Sequence, residues 1–405
     1  MSMNTVPERL AALRAAMAAN GVAVYLIPVG DPHASEYLPA HYTSLTWFSG
    51  FHGENSNLVV TRTGSALWAD GRYFVQAEKE LAGTEIELQR MGEPGVPTVE
   101  EYCANALNEG EVLGLCGLTA STALVNGLKK ALEKKNASIR TLRLEDELWT
   151  EGRPALPDTP AWILPEEYAG FSPAQKLEQL RGRLRELGCT AQFVGKLDNL
   201  AWLLNLRAMD IECTPYAMAY CYVTPDRAVL FINTARVAPE ARAELEANGV
   251  TLAEYDDVLP CLAAETEPQT VLAETATVNY AVYQVLEQNA ALTVKDQIFN
   301  IQDFAGGGLF LHLFVDNAST DHEEGHLLDA CLTGRHLFDE FARAHDHNTI
   351  RNVHDLLQLM SHNNQALTHG SKIFHSLDQF AYLLRCQNSG GFIKNNDISI
   401  LIKNL

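Results

Sequence analysis

The chain has 405 residues, of which 47% are hydrophobic and 20% charged, so it is long enough to bury more than one sizeable core. Its formal net charge of −21 argues against a nucleic-acid partner or an anionic membrane surface, because both need a basic face. No apolar run approaches the length of a membrane span, and the eight cysteines include no Cys-x-x-Cys spacing. These features predict a soluble cytoplasmic protein with reduced thiols.

The first 150 residues alternate between patterns typical of strands and patterns typical of helices. Strands are predicted at residues 24–27, 58–61, 65–68, within 83–91, at 112–115 and at 139–144. Helices are predicted at residues 6–20, 74–81, 99–107 and 121–135. Strands that alternate with helices in this way indicate an α/β domain with a mixed sheet.

Three phrases in this region carry a specific resemblance. Residues 31–37 read Asp-Pro-His-Ala-Ser-Glu-Tyr, residues 50–51 are a Gly-Phe turn, and residues 68–74 read Trp-Ala-Asp-Gly-Arg-Tyr-Phe. In this order they resemble the N-terminal domain of Xaa-Pro aminopeptidases, the aminopeptidase P relatives of creatinase and prolidase. One departure is that residues 52–56 read His-Gly-Glu-Asn-Ser where the family usually has a run of small residues. The resemblance therefore implies the fold and leaves the detail of this loop open.

A proline-rich linker and a second domain follow. Four prolines lie between residues 154 and 165, so a stiff, non-helical linker is predicted over residues 151–165. Beyond it, Trp202 has the same place in the order of predicted elements as Trp47 has in the first domain, and residues 222–224 repeat the pattern of residues 59–61. We interpret this as an internal duplication. The predicted elements of the second domain are a helix at 174–187, a strand at 191–194, a helix and loop at 197–207 and a hairpin of 219–224 with 228–231.

These patterns predict an α/β fold class. Two related creatinase-N-like mixed-sheet domains are expected over residues 1–150 and 166–290, and the resemblance covers residues 6–290. A small, mainly helical C-terminal segment is expected over residues 291–405.

The resemblance implies a third domain that this sequence does not show. In the family, a pita-bread domain of more than two hundred residues holds two divalent metals on two Asp, one His and two Glu. Only about 115 residues follow position 290, and Thr368-His369-Gly370 is the nearest approach to the family's His motif. Ten of the thirteen histidines also lie after position 290, which marks a change in composition. No catalytic or cofactor-binding residue of the family is therefore carried onto this chain.

One candidate metal site lies in the C-terminal segment. His322 and His326 match the His-Glu-x-x-His pattern, in which two histidines one helical turn apart bind zinc and Glu323 acts as general base. A third ligand would be Asp329, His336 or Glu340. Residues 319–321 are strong N-cap signals directly before the motif, so we favour a solvated helix N-terminus over a zinc site.

Other chemistry-bearing residues have structural interpretations that we favour. His345, Asp346 and His347, with His354, could hold a metal by clustering, but we favour a polar loop between helices, because alternate residues on a helix do not face one another. The glycines at 306–308 lack the Lys-Ser/Thr of a phosphate loop and are expected to form a hinge. His33 and Glu36 look like a catalytic pair, but in the family this loop is structural or lines the substrate entrance. Arg72 is expected to pair with a buried carboxylate or cap a turn, and Trp47, Trp68 and Trp202 to lie in the core.

Three functional hypotheses remain open. In the first, the chain is an Xaa-Pro aminopeptidase family protein that keeps the N-terminal domains, which in the family build the dimer and restrict access, and lacks the dinuclear metal centre. It would then be a non-catalytic homodimer. In the second, it is a metallohydrolase with zinc on His322 and His326. In the third, it is a truncated or frame-changed form of an active Xaa-Pro aminopeptidase. Whether the chain is an enzyme stays open, and a peptide is its substrate only if a catalytic centre exists.

Overall fold

Residues 5–297 are described by the computed structural model, and they contain two six-stranded sheets. The strands of the first sheet are β1 Val24–Pro28, β2 Asn57–Thr61, β3 Ser65–Ala69, β4 Ile86–Arg90, β5 Val112–Leu115 and β6 Ser138–Thr141. Its helices are α1 Val6–Ala19, α2 Ser44–Ser49, α3 Phe74–Glu80, α4 Val99–Ala106, α5 Thr122–Leu132 and α6 Leu144–Leu148. The strand order is β4-β3-β2-β1-β5-β6.

The second sheet is reached through a short connecting unit. This unit holds β7 Trp162–Ile163 and α7 Glu166–Ala169. The helices that follow are α8 Pro173–Glu186, α9 Leu197–Leu204, α10 Pro239–Ala247, α11 Val258–Ala263 and α12 Tyr280–Gln288. The strands are β8 Ala191–Val194, β9 Leu206–Arg207, β10 Tyr220–Val223, β11 Ala228–Phe231, β12 Val250–Ala253, β13 Gln269–Ala273 and β14 Leu292–Asp296. β9 pairs with β7, and the other six form a sheet of order β12-β11-β10-β8-β13-β14.

The two sheets share one topology. The central strand, β1 in the first sheet and β8 in the second, pairs antiparallel with β2 or β10, respectively. That neighbour forms an antiparallel hairpin with β3 or β11. All other strand pairs in the two sheets are parallel. Thr61 and Thr224 close the equivalent hairpins by donating their backbone N–H groups to Gly64 and Arg227. This arrangement confirms the prediction of two related mixed-sheet domains. The second sheet includes β14, which lies beyond residue 290.

The end of the first sheet differs from its prediction. A strand was expected to continue to residue 144, but β6 ends at Thr141 and Leu144 begins helix α6. Asp146 and Glu147 lie in the first turn of this helix, where the helix dipole favours negative charge. Residues 144–148 are therefore helical and do not extend the strand.

The three tryptophans predicted as core residues are not equivalent. Trp68 is fully buried and donates its indole N–H to the Pro97 carbonyl at 2.8 Å. Trp47 and Trp202 are half-buried, and each lies against a cation, with Arg9 4.6 Å from the Trp47 ring and the Lys176 amine 4.6 Å from the Trp202 ring. The prediction of a core position is therefore confirmed for Trp68, whereas the other two tryptophans are less buried than expected.

Candidate functional site

His33 lies in a buried contact between the two sheet domains. We name this contact, formed by Asp31, Pro32 and His33 with Gly195, Tyr220, Tyr255 and Asn279, the domain seam. His33 is 1% exposed, its Nδ1 is 2.8 Å from the Gly195 carbonyl oxygen, and its Nε2 is 2.7 Å from the Tyr255 hydroxyl. A carbonyl can only accept, so Nδ1 carries the proton and Nε2 of the neutral ring accepts from Tyr255.

The rings around His33 complete the seam. The Tyr220 ring centroid is 4.3 Å from that of His33 and 5.0 Å from that of Tyr255. Burial lowers the pKa of His33 and raises the pKa values of both tyrosines, so all three groups are held neutral. A neutral imidazole with both nitrogens engaged holds two domains together and has no free position for proton transfer.

Asp31 shapes the loop that delivers His33 to the seam. Its Oδ1 accepts the backbone N–H groups of His33 and Ser35, each at 2.9 Å, in a turn that also places Ala34 at a φ of 54°. Asp31 is 3% exposed, and its second carboxylate oxygen has no hydrogen-bond partner. Glu36 is exposed, so the structure separates it from His33 and supports the structural interpretation of this loop.

The beginning of helix α12 forms the other half of the seam. Asn279 caps this helix by accepting the Val282 N–H at 3.0 Å, and its Nδ2 donates to the Pro32 carbonyl at 2.9 Å. Backbone hydrogen bonds from Tyr280 to Ala120, from Ala281 to Gly117 and from Thr122 to Val278 cross the same contact. The N-terminal ends of α5 and α12 are thus joined through main-chain atoms.

Sequence reasoning identified His33 and missed its partners. Gly195 and Tyr255 lie 162 and 222 positions away, and no local pattern links residues at that separation. Asn279 was detectable, because an Asn directly before an apolar helical run is an N-cap signal. Arg72 pairs with Asp70 at 2.8 Å on the surface, and this hydrogen bond lowers the pKa of Asp70.

The described residues do not fit the metal centre that the resemblance implies. Between residues 5 and 297, no group of three or more His, Cys, Asp or Glu side chains is arranged to hold a metal ion. The predicted zinc candidates, with the other motifs of the C-terminal segment, lie outside the described residues: His322, Glu323, His326, Asp329, His336, Glu340, 306–308, 345–354 and 368–370. No helix in the part of the chain that the structure describes is long and apolar enough to cross a membrane.

Two family models match the chain. Both represent the creatinase/prolidase N-terminal domain, one over residues 9–144 and the other over residues 152–302. Aminopeptidase P2 from Arabidopsis thaliana is 36% identical over 283 residues, which are 68% of this chain and 40% of that protein. A probable Xaa-Pro aminopeptidase P from Sordaria macrospora is 37% identical over 261 residues, covering 64% of this chain and 42% of that protein.

A solved structure has a fold similar to that of this chain. The X-prolyl aminopeptidase from Caenorhabditis elegans, described as a cytosolic enzyme with a di-nuclear active site, is similar with a TM-score of 0.67 and 30% identity. The similarity covers 74% of this chain and 51% of that one. The chain thus spans about two fifths of the length of these curated relatives and about half of the C. elegans chain.

Proposed function

Because the chain belongs to the creatinase/prolidase family through its two N-terminal domains, we propose that residues 5–297 form a non-catalytic module of an Xaa-Pro aminopeptidase-type protein. Its role is to hold two sheet domains in one fixed geometry and to associate with a second copy. The observation that carries this proposal is the seam around His33, where both ring nitrogens are engaged at 2.7 and 2.8 Å.

The charged residues of the described part also support a structural role. Asp210 and Arg236 form a buried ion pair in the second domain, and Thr159 of the linker donates its hydroxyl to Asp210 at 2.6 Å. Arg236 also donates to the carbonyls of Thr159 and Met218. Buried ionic groups are thus engaged in fixing the linker against the second domain, which suits a rigid module.

A homodimer and a cytosolic location belong to the same proposal. The family resemblance implies that the two N-terminal domains build a dimer, and the similar C. elegans enzyme is described as cytosolic. Light scattering on the purified full chain should give twice the chain mass of 44.6 kDa. A mass of one chain at every concentration would contradict the dimer, but it would not contradict the fixed geometry of the two sheet domains.

The non-catalytic part of the proposal is tested by peptide hydrolysis. Purified full-length chain is incubated with a fluorogenic Xaa-Pro peptide in the presence of Mn²⁺ or Zn²⁺, beside the variant His326→Ala. We expect no turnover above the blank with either protein. Turnover that disappears in His326→Ala would establish the zinc hydrolase instead, and turnover that persists would establish an active aminopeptidase. Reading the coding DNA beyond codon 290 for a pita-bread domain would test the frame-changed alternative.

A further inference from the structure

A second buried acid, Glu145, lies away from the domain seam. It stands in the first turn of helix α6 and is 4% exposed. The hydroxyl of Tyr25, on strand β1, is 2.6 Å from Glu145 Oε2. The Tyr25 ring is fully buried against Gly114, where an added Cβ would lie 2.7 Å from ring atom Cδ2. The phenol is therefore fixed in place, and its hydroxyl cannot move away from the carboxyl group.

The hydrogen bonds around this hydroxyl do not balance when Glu145 is ionised. Tyr25 Oη has one proton but two acceptors in reach, the Glu145 carboxylate and the Leu142 carbonyl at 3.0 Å, while the Leu144 N–H donates to it at 3.3 Å. An ionised Glu145 accepts the hydrogen bond of the Tyr25 hydroxyl, and the Leu142 carbonyl then has no hydrogen bond from it. A protonated Glu145 donates to Tyr25 Oη, which then donates to Leu142, so every group is satisfied.

The groups facing Glu145 come from several elements. A small cavity of about 10 Å³ beside it is also lined by Tyr42, Cys116, Arg143, Asp146 and Arg153. Both arginines pair with Asp146, so neither is committed to Glu145. Burial raises the pKa values of Tyr42 and Cys116, which keeps both neutral. Burial also raises the pKa of Glu145 to about 7, against the lowering effect of the hydrogen bond from Tyr25.

Helix α6 in turn holds the start of the linker. Arg153 pairs with Asp146, lies 5.3 Å from the Trp149 ring and donates its Nε to the His41 carbonyl at 3.1 Å. His41 donates its Nδ1 to the Pro154 carbonyl at 2.8 Å. If α6 loosens, these contacts of Arg153 at the start of the linker are therefore weakened as well.

We propose that Glu145 is a proton-sensing residue, and that its protonation seats helix α6 and, through Asp146 and Arg153, anchors the interdomain linker. When Glu145 releases its proton to solvent, the Tyr25 hydroxyl turns from Leu142 to the carboxylate. The buried charge then attracts Arg143 and Arg153 away from Asp146. The sheets stay intact, and the change is confined to α6 and the linker.

The pH window follows from linkage. A carboxyl group whose pKa is higher in the seated helix than in the open one stabilises the seated helix fully below the open-state pKa near 4.5. That stabilisation is lost as the pH rises towards about 7, and above this pH the stability of the seated helix no longer changes. Opening of α6 thus becomes easier between these two values, which is the opposite of the usual behaviour of a surface carboxylate.

Hydrogen exchange of the full chain tests this directly. Protection of the peptide containing the Leu144 amide is measured from pH 5 to pH 8 and corrected for the intrinsic exchange rate. We expect protection to fall by up to about tenfold per pH unit between pH 5 and 7 and then to level off. In Glu145→Gln the profile should be flat, while Glu147→Gln, an exposed neighbour in the same helix, should behave like the parent. A flat parent profile, or the same decline in Glu145→Gln, would overturn the proposal.

Tyr25→Phe keeps the ring and removes the hydroxyl, so it provides a test that does not depend on the folding of Glu145→Gln. Because the phenol hydrogen bond lowers the pKa of Glu145, its loss should move the level-off to higher pH. A purely structural role for Tyr25 would instead lower protection equally at every pH, and that result would contradict proton sensing.

Discussion

At the residue scale, His33 decides how the two domains are held. A buried histidine is stable only if its nitrogens are paired, and here one pairs with a backbone carbonyl and the other with a phenol from the opposite domain. Because both partners belong to the second domain, the ring acts as a bridge between the domains. Removing it takes one hydrogen-bond partner from the Gly195 carbonyl and one from the Tyr255 hydroxyl.

The substitution His33→Ala is therefore expected to lower the free energy of unfolding by about 2–4 kcal/mol, because two buried hydrogen bonds between the domains, to the Gly195 carbonyl and from the Tyr255 hydroxyl, are lost. Urea unfolding followed by circular dichroism measures this effect. His52→Ala is the control, since the His52 side chain is 67% exposed and its removal should change stability by less than about 0.5 kcal/mol. Equal midpoints for the two variants would contradict a bridging role for His33.

The sequence was sufficient to single out the loop at residues 31–37 and insufficient to say what it contacts. The Asp-Pro-His pattern carried the resemblance, and the structural interpretation of His33 followed from it. The tyrosines at 220 and 255 are ordinary strand and turn residues in a linear pattern, and only the fold brings them beside His33. Contacts between distant residues therefore had to come from the structure.

At the element scale, the seam requires two backbones to approach closely. The Gly117 carbonyl accepts the Ala281 N–H at 2.8 Å, and a Cβ added at Gly117 would lie 3.3 Å from the Ala281 nitrogen and 3.0 Å from Thr141 Cγ2. A side chain at position 117 would therefore crowd the contact between the end of β5 and the start of α12.

Gly117→Ala should destabilise the protein by about 1–3 kcal/mol, because the backbone of α12 cannot move aside without breaking the hydrogen bond. The same chemical change at Gly182, inside helix α8, meets no atom closer than 3.7 Å and should stabilise by about 0.5–1 kcal/mol. Thermal unfolding of both variants checks the opposite signs. A stabilising Gly117→Ala would show that the seam is loosely packed.

The linker depends on a buried ion pair. Arg236 and Asp210 have side-chain exposures of 4% and 0%, and the Arg236→Met variant leaves the Asp210 carboxylate buried and unpaired. We expect a loss of about 3–5 kcal/mol in the free energy of unfolding. Arg242→Met removes a surface pair with Glu246 and should cost less than about 1 kcal/mol in a parallel denaturant titration. Comparable losses would mean that the linker is not fixed by Asp210.

Most elements could be predicted from the sequence, because apolar periodicity and caps are local signals. The strand at 24–27, the hairpin at 58–68 and the helix at 174–187 agree with β1, β2–β3 and α8 within one or two residues. The border between β6 and α6 was missed, since Leu142 and Leu144 continue an alternating strand pattern. Asp146 and Glu147 in the first turn of α6 are a local signal for a helix start, whereas the hydrogen bond between Glu145 and Tyr25 joins residues 120 positions apart and has no local signal.

At the scale of the whole molecule, a duplicated fold carries two different polar interiors. The first domain buries Tyr25 with Glu145, the second buries Asp210 with Arg236, and the seam buries His33 between them. Each of these sites uses ionisable groups to fix geometry. The chain spans about two fifths of the length of the curated relatives that it matches, and we propose that its described residues act as a family module by association.

The most direct test of that account is the metal content of the purified full-length chain, measured by elemental mass spectrometry after dialysis. We expect no metal bound in stoichiometric amount. About one zinc per chain would contradict it in favour of a site on His322 and His326. Two divalent metals per chain would contradict it in favour of the dinuclear centre of an active Xaa-Pro aminopeptidase.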